Sequence, residues 1–219
     1  MEERREGPTD PHGDQPVLAA GAALSDARAA MILIHGRGAS AENILGLARE
    51  FSAPDIAFLA PQAAGYSWYP QSFLVPLEQN EPYLSSALRR VGAIVEGVVG
   101  EGIPAERVML VGFSQGACLS LEFAARNPRR FGCIAGLSGG LIGAEGTPRD
   151  YPGSLDGTPV FLGSSDPDPH IPVARVHETD EVLSRMGARV TTRIYPRMGH
   201  TICDDEIQRV REMVEVVRG

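Results

Sequence analysis

The sequence of 219 residues is poor in cysteine, in basic residues and in long apolar segments, and each shortage excludes a class of protein. Its three cysteines, Cys118, Cys133 and Cys203, show no C-x-x-C spacing, so we expect reduced thiols, no disulfide framework and no metal site. The 20 Lys and Arg residues are scattered and outnumbered by 28 Asp and Glu, which argues against a nucleic-acid partner. No apolar stretch reaches the roughly 18 residues of a membrane-spanning helix, so we expect no integral membrane association.

The chain length and the N-terminal segment predict one domain behind a short leader. Residues 1–15 are rich in Pro, Gly and charged residues and lack the apolar core of a signal peptide. We expect a flexible leader there and a single domain over residues 16–219, which is enough chain for one well-buried core. Reduced thiols and the absence of a signal peptide predict a cytoplasmic protein, either a monomer or a homodimer.

Short apolar runs alternate with segments of helical spacing along most of the chain. We predict strands at 31–34, 56–60, 108–111, 133–137, 159–162 and 189–195, and helices at 83–99, 117–126, 173–186 and 201–217. Such alternation is typical of an open, mostly parallel sheet with helices on both faces. Ligands bind such sheets at the carboxyl ends of the strands, so candidate site residues are sought directly after each strand.

The candidate nucleophile is Ser114, in a segment that matches G-x-S-x-G over residues 112–116. The segment follows a predicted strand and precedes a predicted helix, which favours a nucleophile over a serine that merely caps a helix. A turn this sharp leaves no room for side chains beside the serine, which accounts for Gly112 and Gly116. The helix N-terminus also favours negative charge that develops at the hydroxyl.

A serine hydroxyl needs an adjacent base, and His200 is the candidate because it follows the last predicted strand. It completes the chain order serine, acid, histidine that α/β-hydrolases use. The acid is expected after the strand 159–162, where Asp166 and Asp168 both occur. We prefer Asp168, because Asp168–Pro172 leads directly into the next helix, and Asp166 is the alternative. The acid would fix the imidazole tautomer and stabilise the imidazolium.

Two backbone N–H groups should hold the oxyanion of a tetrahedral intermediate. One is expected from Gln115, the residue after the nucleophile, and the other from Arg37, in the His35–Gly38 turn after the first central strand. The alternative for this turn is that it merely ends a strand. We expect the side chain of His35 to serve the turn structurally.

The loop over residues 61–82 is rich in aromatic side chains and follows the second predicted strand. Trp68, Tyr69 and Phe73 are candidates for the substrate pocket, with core packing over the sheet edge as an equal alternative. Met198 is a further pocket candidate because it stands two residues before His200. The sequence has no insertion long enough for a large lid.

Taken together, these motifs resemble the phospholipase/carboxylesterase family of small α/β-hydrolases, which is related to the acyl-protein thioesterases. The matching stretches run in family order from about residue 30 to the end, at Leu33–Gly38, Ala60–Gln62, Gly112–Gly116, Asp168–Pro172 and Met198–Thr201. The resemblance implies an α/β-hydrolase fold and a Ser-Asp-His esterase without metal or cofactor. It also implies substrates among short-chain acyl esters, lysophospholipids and thioesters of acylated proteins.

Two segments depart from the thioesterase branch of that family. The loop over Gly163–Pro172 is about two residues longer, and Gln62–Pro70 is closer to bacterial esterases. We therefore predict a carboxylesterase that hydrolyses small, short-chain esters through an acyl-enzyme intermediate. The alternatives are a lysophospholipase or acyl thioesterase and, from another class, a non-catalytic binding protein on the same fold.

Overall fold

In a computed structural model that describes residues 10–51 and 53–219, seven strands form one sheet. The strands are β1 (Val17–Gly21), β2 (Ala29–Ile34), β3 (Ile56–Pro61), β4 (Val108–Phe113), β5 (Cys133–Leu137), β6 (Pro159–Asp166) and β7 (Arg189–Pro196). Their order across the sheet is β1-β3-β2-β4-β5-β6-β7. Only β1 pairs antiparallel within this sheet, and every other pairing is parallel.

Five α-helices cover the sheet on both faces within the described residues. They are α1 (Ala41–Leu45), α2 (Tyr83–Gly100), α3 (Gln115–Arg126), α4 (Val173–Arg185) and α5 (Asp204–Arg218). Helices α2, α3 and α4 share one apolar core, whereas α1 and α5 share the other. None of the helices in the described part of the chain is long and apolar enough to cross a membrane.

The central strands are apolar because both of their faces are covered. All six residues of β2 are buried, and its side chains alternate between the two cores, with Ile32 in the first and Met31 in the second. The predicted parallel sheet with helices on both faces is therefore confirmed. After α1 the chain tightens into a 3-10 helix over Gly46–Phe51.

The last residues of the expected leader are packed against the domain, so the boundary at residue 15 is wrong. His12 is fully buried, and Asp10 forms an ion pair with Arg89 of α2 at 3.2 Å. The flexible-leader prediction failed here because the segment is held by contacts with residues more than 50 positions away, which local composition does not reveal. Residues 1–9 lie outside the described residues, and for them the leader stays a prediction.

A buried carboxyl lies in the first turn of α5. Glu206 has no exposed surface, and its Oε2 accepts a hydrogen bond from the backbone N–H of Cys203 at 2.9 Å. Its other oxygen lies against Gly163 of β6, where an added Cβ would stand only 2.1 Å away. Burial raises the pKa of Glu206 to about 7, against the opposing effect of the Cys203 hydrogen bond.

We expect Glu206→Gln to become increasingly stabilising, relative to the wild type, as pH rises. Below its unfolded pKa of 4.5 this carboxyl is protonated in both states, and above about 7 it is charged in both. Between these values the folded state binds more protons, so the free energy of unfolding falls as pH rises. The check is thermal denaturation of both proteins at about pH 5 and about pH 8. The titration predicts that the difference in melting temperature between the two proteins changes between these pH values.

The control is Glu212→Gln on the same helix, where the side chain is half exposed. An equal difference in melting temperature between wild type and Glu206→Gln at the two pH values would contradict the raised pKa of Glu206.

Candidate active site

Ser114 lies in a strained turn between β4 and α3. Its φ of 55° and ψ of −117° are unusual for a residue with a side chain and cost of order 1–3 kcal/mol. The turn is held on both sides, because the N–H of Ser114 donates to the carbonyl of Leu137 at 2.9 Å and its carbonyl accepts from Cys118 at 3.0 Å. The hydroxyl is thereby presented at the carboxyl edge of the sheet.

The two glycines that flank the serine allow this turn because backbone passes over backbone. A Cβ on Gly112 would lie 2.3 Å from the carbonyl oxygen of Gly116, and a Cβ on Gly116 would lie 2.0 Å from that of Ile34. Helix α3 therefore begins directly against the end of β2. This confirms the steric reason that the sequence motif suggests for both glycines.

Three side chains from the ends of different strands meet at Ser114. The Nε2 of His200 lies 2.8 Å from the Oγ of Ser114, and its Nδ1 lies 2.9 Å from the Oδ2 of Asp168. A carboxylate accepts but does not donate, so Nδ1 carries the proton and Nε2 is free to accept from the serine hydroxyl. The three predicted triad residues thus lie in one hydrogen-bonded chain.

The carboxylate that contacts His200 is that of Asp168, whose side chain has no exposed surface. Its Oδ1 accepts from the backbone N–H groups of His170 at 2.7 Å and Ile171 at 3.0 Å. Burial alone would raise the pKa of Asp168, but these bonds and that of His200 outweigh burial and lower it. Asp166 is the exposed last residue of β6, so the geometry favours Asp168.

Ser165, which the sequence analysis did not select, ties the acid loop to the histidine loop. Its hydroxyl donates to the carbonyl of Pro167 at 3.1 Å and accepts from the N–H of Gly199 at 2.9 Å. The buried Ser165 therefore fixes the distance between the segments that carry Asp168 and His200. Its place at the carboxyl end of β6, beside two aspartates, was the available sequence signal.

The two residues predicted to supply oxyanion donors line the same cavity as Ser114. Arg37 follows β2, and Gln115 begins α3. Within the described part of the chain, neither backbone N–H donates a hydrogen bond to another protein group. Both N–H groups therefore belong to residues that line the cavity and are free to donate to a ligand.

The side chains of these two residues hold the 61–82 loop. The guanidinium of Arg37 donates to the carbonyls of Pro70 at 2.8 Å and Gln71 at 2.5 Å. The side-chain amide of Gln115 accepts from the N–H of Trp68 at 2.8 Å and donates to the carbonyl of Tyr69 at 2.8 Å. This second task was missed by sequence reasoning, because it depends on contacts across 33 to 47 positions.

A cavity of about 440 Å³ opens at Ser114 and His200. Its apolar walls are formed by Tyr69, Phe73, Phe113, Cys118 and Ile171. The predicted pocket residues Tyr69 and Phe73 are thus placed at the cavity.

Trp68 and Met198 are not among the residues that line this cavity, which corrects their prediction as substrate-binding residues. Trp68 is fully buried, and its Nε1 donates to the carbonyl of His35 at 2.9 Å. Its side chain therefore packs into the core under the rest of the 61–82 loop. Met198 is half-buried in a turn with left-handed φ at Arg197 (54°) and Gly199 (83°), and this turn brings His200 to the cavity instead.

His35 supports the turn after β2, as expected. Its Nε2 accepts from the N–H of Ala63 at 3.1 Å, so its Nδ1 carries the proton and donates to the carbonyl of Gly36 at 2.8 Å. Burial lowers the pKa of His35 against the effect of the Gly36 bond, so the ring is neutral at pH 7. It has no contact with the nucleophile that would make it a base.

The parallel sheet, the strained serine turn and the serine–histidine–aspartate chain together define an α/β-hydrolase. A family model described as Phospholipase/Carboxylesterase matches residues 21–218, and the chain belongs to this family. The predicted family is thereby confirmed.

Relatives of this chain carry the names of ester and thioester hydrolases. A phospholipase/carboxylesterase structure from Dyadobacter fermentans DSM 18053 is 43% identical with a TM-score of 0.89, over 92% of this chain and 97% of that one. Acyl-protein thioesterase 1 of Gibberella zeae is 32% identical over 53% of this chain, and the match spans 51% of that protein. A probable carboxylesterase of Oryza sativa subsp. japonica is 25% identical over 84% of this chain and 86% of its own length.

We expect Gly116→Ala to destabilise the protein by about 3 kcal/mol or more, or to prevent folding, because its Cβ would overlap the Ile34 carbonyl. The matched control is Gly97→Ala, at an exposed position within α2 where an added Cβ meets no atom within 4 Å. That control should gain about 0.5–1 kcal/mol. Urea denaturation measures both, and a Gly116→Ala variant as stable as the wild type would contradict the crossing of α3 over β2.

Proposed function

We propose that this protein is a serine carboxylesterase that hydrolyses small, short-chain carboxylic esters. The observation that carries the proposal is the hydrogen-bonded chain Ser114–His200–Asp168, which opens into a cavity with two free backbone donors. Membership of the phospholipase/carboxylesterase family supports the reaction class.

In the proposed mechanism the Nε2 of His200 takes the hydroxyl proton as the Oγ of Ser114 attacks the ester carbonyl. The N–H groups of Arg37 and Gln115 would hold the oxyanion, and one such donor is worth about 10²–10³ in rate. The imidazolium then gives its proton to the departing alcohol, which leaves an acyl group on Ser114. Water, deprotonated by His200, releases the acid and restores the hydroxyl.

Asp168 serves this cycle as a charged partner of the imidazolium. Its lowered pKa keeps the carboxylate ionised at neutral pH, and its hydrogen bond to Nδ1 selects the tautomer in which Nε2 is the base. In each half-reaction the moving proton is therefore carried by the Nε2 of His200, while Asp168 stays ionised.

The size and lining of the cavity support small substrates. A volume of about 440 Å³ lies at the low end of small-molecule sites. Its apolar walls include Phe73 and Ile171, which suit a short acyl chain. The names of the thioesterase relatives favour a second candidate, acyl thioester hydrolysis, which would use the same residues, as would a lysophospholipase.

We expect Ser114→Ala to abolish ester hydrolysis and Asp168→Asn to lower kcat on the order of 10³–10⁴-fold, because the imidazole would lose its orienting charge. The matched control is Asp166→Asn. Because the side chain of Asp166 is exposed, we expect this variant to lower kcat by no more than about twofold. Hydrolysis of p-nitrophenyl butyrate measures all three. A larger loss in Asp166→Asn than in Asp168→Asn would reject the assignment of the acid.

We expect kcat/KM to peak between acetyl and hexanoyl p-nitrophenyl esters, because longer chains extend beyond a cavity of about 440 Å³. The same series of acyl thioesters and a lysophospholipid would be measured in parallel. A steady rise to palmitate, or a preference for the thioester at equal chain length, would replace the small-ester assignment by the second candidate.

A further inference from the structure

The segment 10–15 reaches the loop that forms one wall of the candidate active site. His12, fully buried, lies under this loop, and both of its ring nitrogens bind loop backbone. The N–H of Ala64 donates to Nδ1 at 3.0 Å, so the proton is on Nε2, which donates to the carbonyl of Trp68 at 3.0 Å. One imidazole thus fixes two points of the loop, four residues apart.

The rings of two histidines lie close to the ring of Trp68. The ring centroids of His12 and His35 lie 5.3 Å and 5.1 Å from that of Trp68. The two histidines also accept from consecutive backbone N–H groups, His35 from Ala63 and His12 from Ala64. Each acceptor exists only while its imidazole is neutral, because an imidazolium has no free lone pair.

The histidine contact continues into the oxyanion site through Trp68. The backbone N–H of Trp68 donates to the side chain of Gln115, whose amide donates in turn to the carbonyl of Tyr69. Gln115 supplies a candidate oxyanion donor, and Tyr69 lines the cavity. Movement of Trp68 would therefore reach both the donor and the pocket wall.

The segment itself is anchored to helix α2. The N–H of His12 donates to the Oγ of Ser86 at 2.9 Å, and that hydroxyl donates to Asp10. Arg90 donates to the backbone carbonyl of Gln15. The contact of His12 with the loop is thus braced from a rigid helix.

We infer that His12 is a positioning residue for the active site, which sets the Gln115 oxyanion donor and the Tyr69 wall through Trp68. This inference rests on the proposed function for its kinetic consequence, but not for its structural one.

The groups that face His12 favour a neutral ring. Burial lowers the pKa of His12, and the neighbouring Arg90 and the titratable ring of His35 lower it further, against the Trp68 hydrogen bond and the carboxylate of Asp10. Tyr83 of α2 lies with its ring 6.0 Å from that of His12 and adds to the burial. An unfolded histidine takes up a proton near pH 6.5, so the unfolded state binds more protons as pH falls below that value. The contribution of His12 to stability is therefore complete above pH 6.5 and is lost as pH falls through the folded pKa.

Trp68 is the only tryptophan of the chain, so intrinsic fluorescence reports on this contact directly. Three variants separate the two hydrogen bonds of the His12 ring, the one donated to Trp68 and the one accepted from Ala64. His12→Gln keeps a donor near the position of Nε2, His12→Asn keeps an acceptor near the position of Nδ1, and His12→Ala keeps neither. A fourth variant, Val214→Ala, removes buried methyl groups from the opposite core and serves as the control for lost stability alone.

We expect His12→Ala to shift Trp68 emission to longer wavelength and to lower kcat/KM on p-nitrophenyl butyrate by on the order of 10–100-fold, mainly in kcat. His12→Gln should recover more activity than His12→Asn, because the bond to Trp68 is the one that leads to Gln115. Val214→Ala should lower the melting temperature with unchanged emission and kinetics at 25 °C. Melting temperatures of the wild type should fall below pH 6.5 more steeply than those of His12→Gln.

Unchanged emission and kcat in a folded His12→Ala would overturn the inference. Equal kinetic losses in His12→Ala and Val214→Ala would reduce His12 to a structural residue. If the wild type hydrolyses none of the esters, the proposed function fails, and the emission of His12→Ala against Val214→Ala alone decides whether His12 positions Trp68.

Discussion

The close approach of helix α3 to the end of strand β2 is the constraint on which the candidate site depends. Backbone meets backbone there, with no room for a Cβ at Gly112 or Gly116. The contact forces Ser114 into its left-handed conformation, since the chain must reverse within one residue. It also brings the N–H of Gln115 close to the turn that carries Arg37. The strained conformation of Ser114 and the proximity of Gln115 to the Arg37 turn thus have the same steric cause.

The two donor residues separate their tasks between backbone and side chain. Arg37 and Gln115 both line the cavity and carry backbone N–H groups that donate to no described protein group, while their side chains bind carbonyls and an N–H of the 61–82 loop. A loop of this length would be costly to order by itself. Because Arg37 and Gln115 also hold this loop, the pocket wall and the two candidate oxyanion donors are mechanically coupled, and the buried Trp68 lies within the same set of contacts.

The sequence predicted the parts of the fold and site that local pattern determines. Strand β2 was found because a strand covered on both faces must be apolar throughout, and Ser114 because a sharp strand-to-helix turn needs glycine on both sides. The structural role of His12 was missed, because its partners Ala64 and Trp68 lie 52 and 56 positions away. Met198 failed as a pocket residue for a related reason: the left-handed turn around it decides which side chain faces the cavity.

Two buried carboxyl groups near the same sheet edge show how this fold distributes charge. Asp168 accepts from His200 and from two backbone N–H groups, and these bonds lower its pKa in spite of burial. Glu206 accepts from one backbone N–H and lies against Gly163, and burial raises its pKa to about 7. Burial is the leading cause of the raised pKa of Glu206, whereas at Asp168 the hydrogen bonds from three donors outweigh the effect of burial. A negative charge is therefore stable where two N–H groups of the loop after β6 and the imidazole of His200 point at one carboxylate, and this is the place where an imidazolium beside Ser114 would need it.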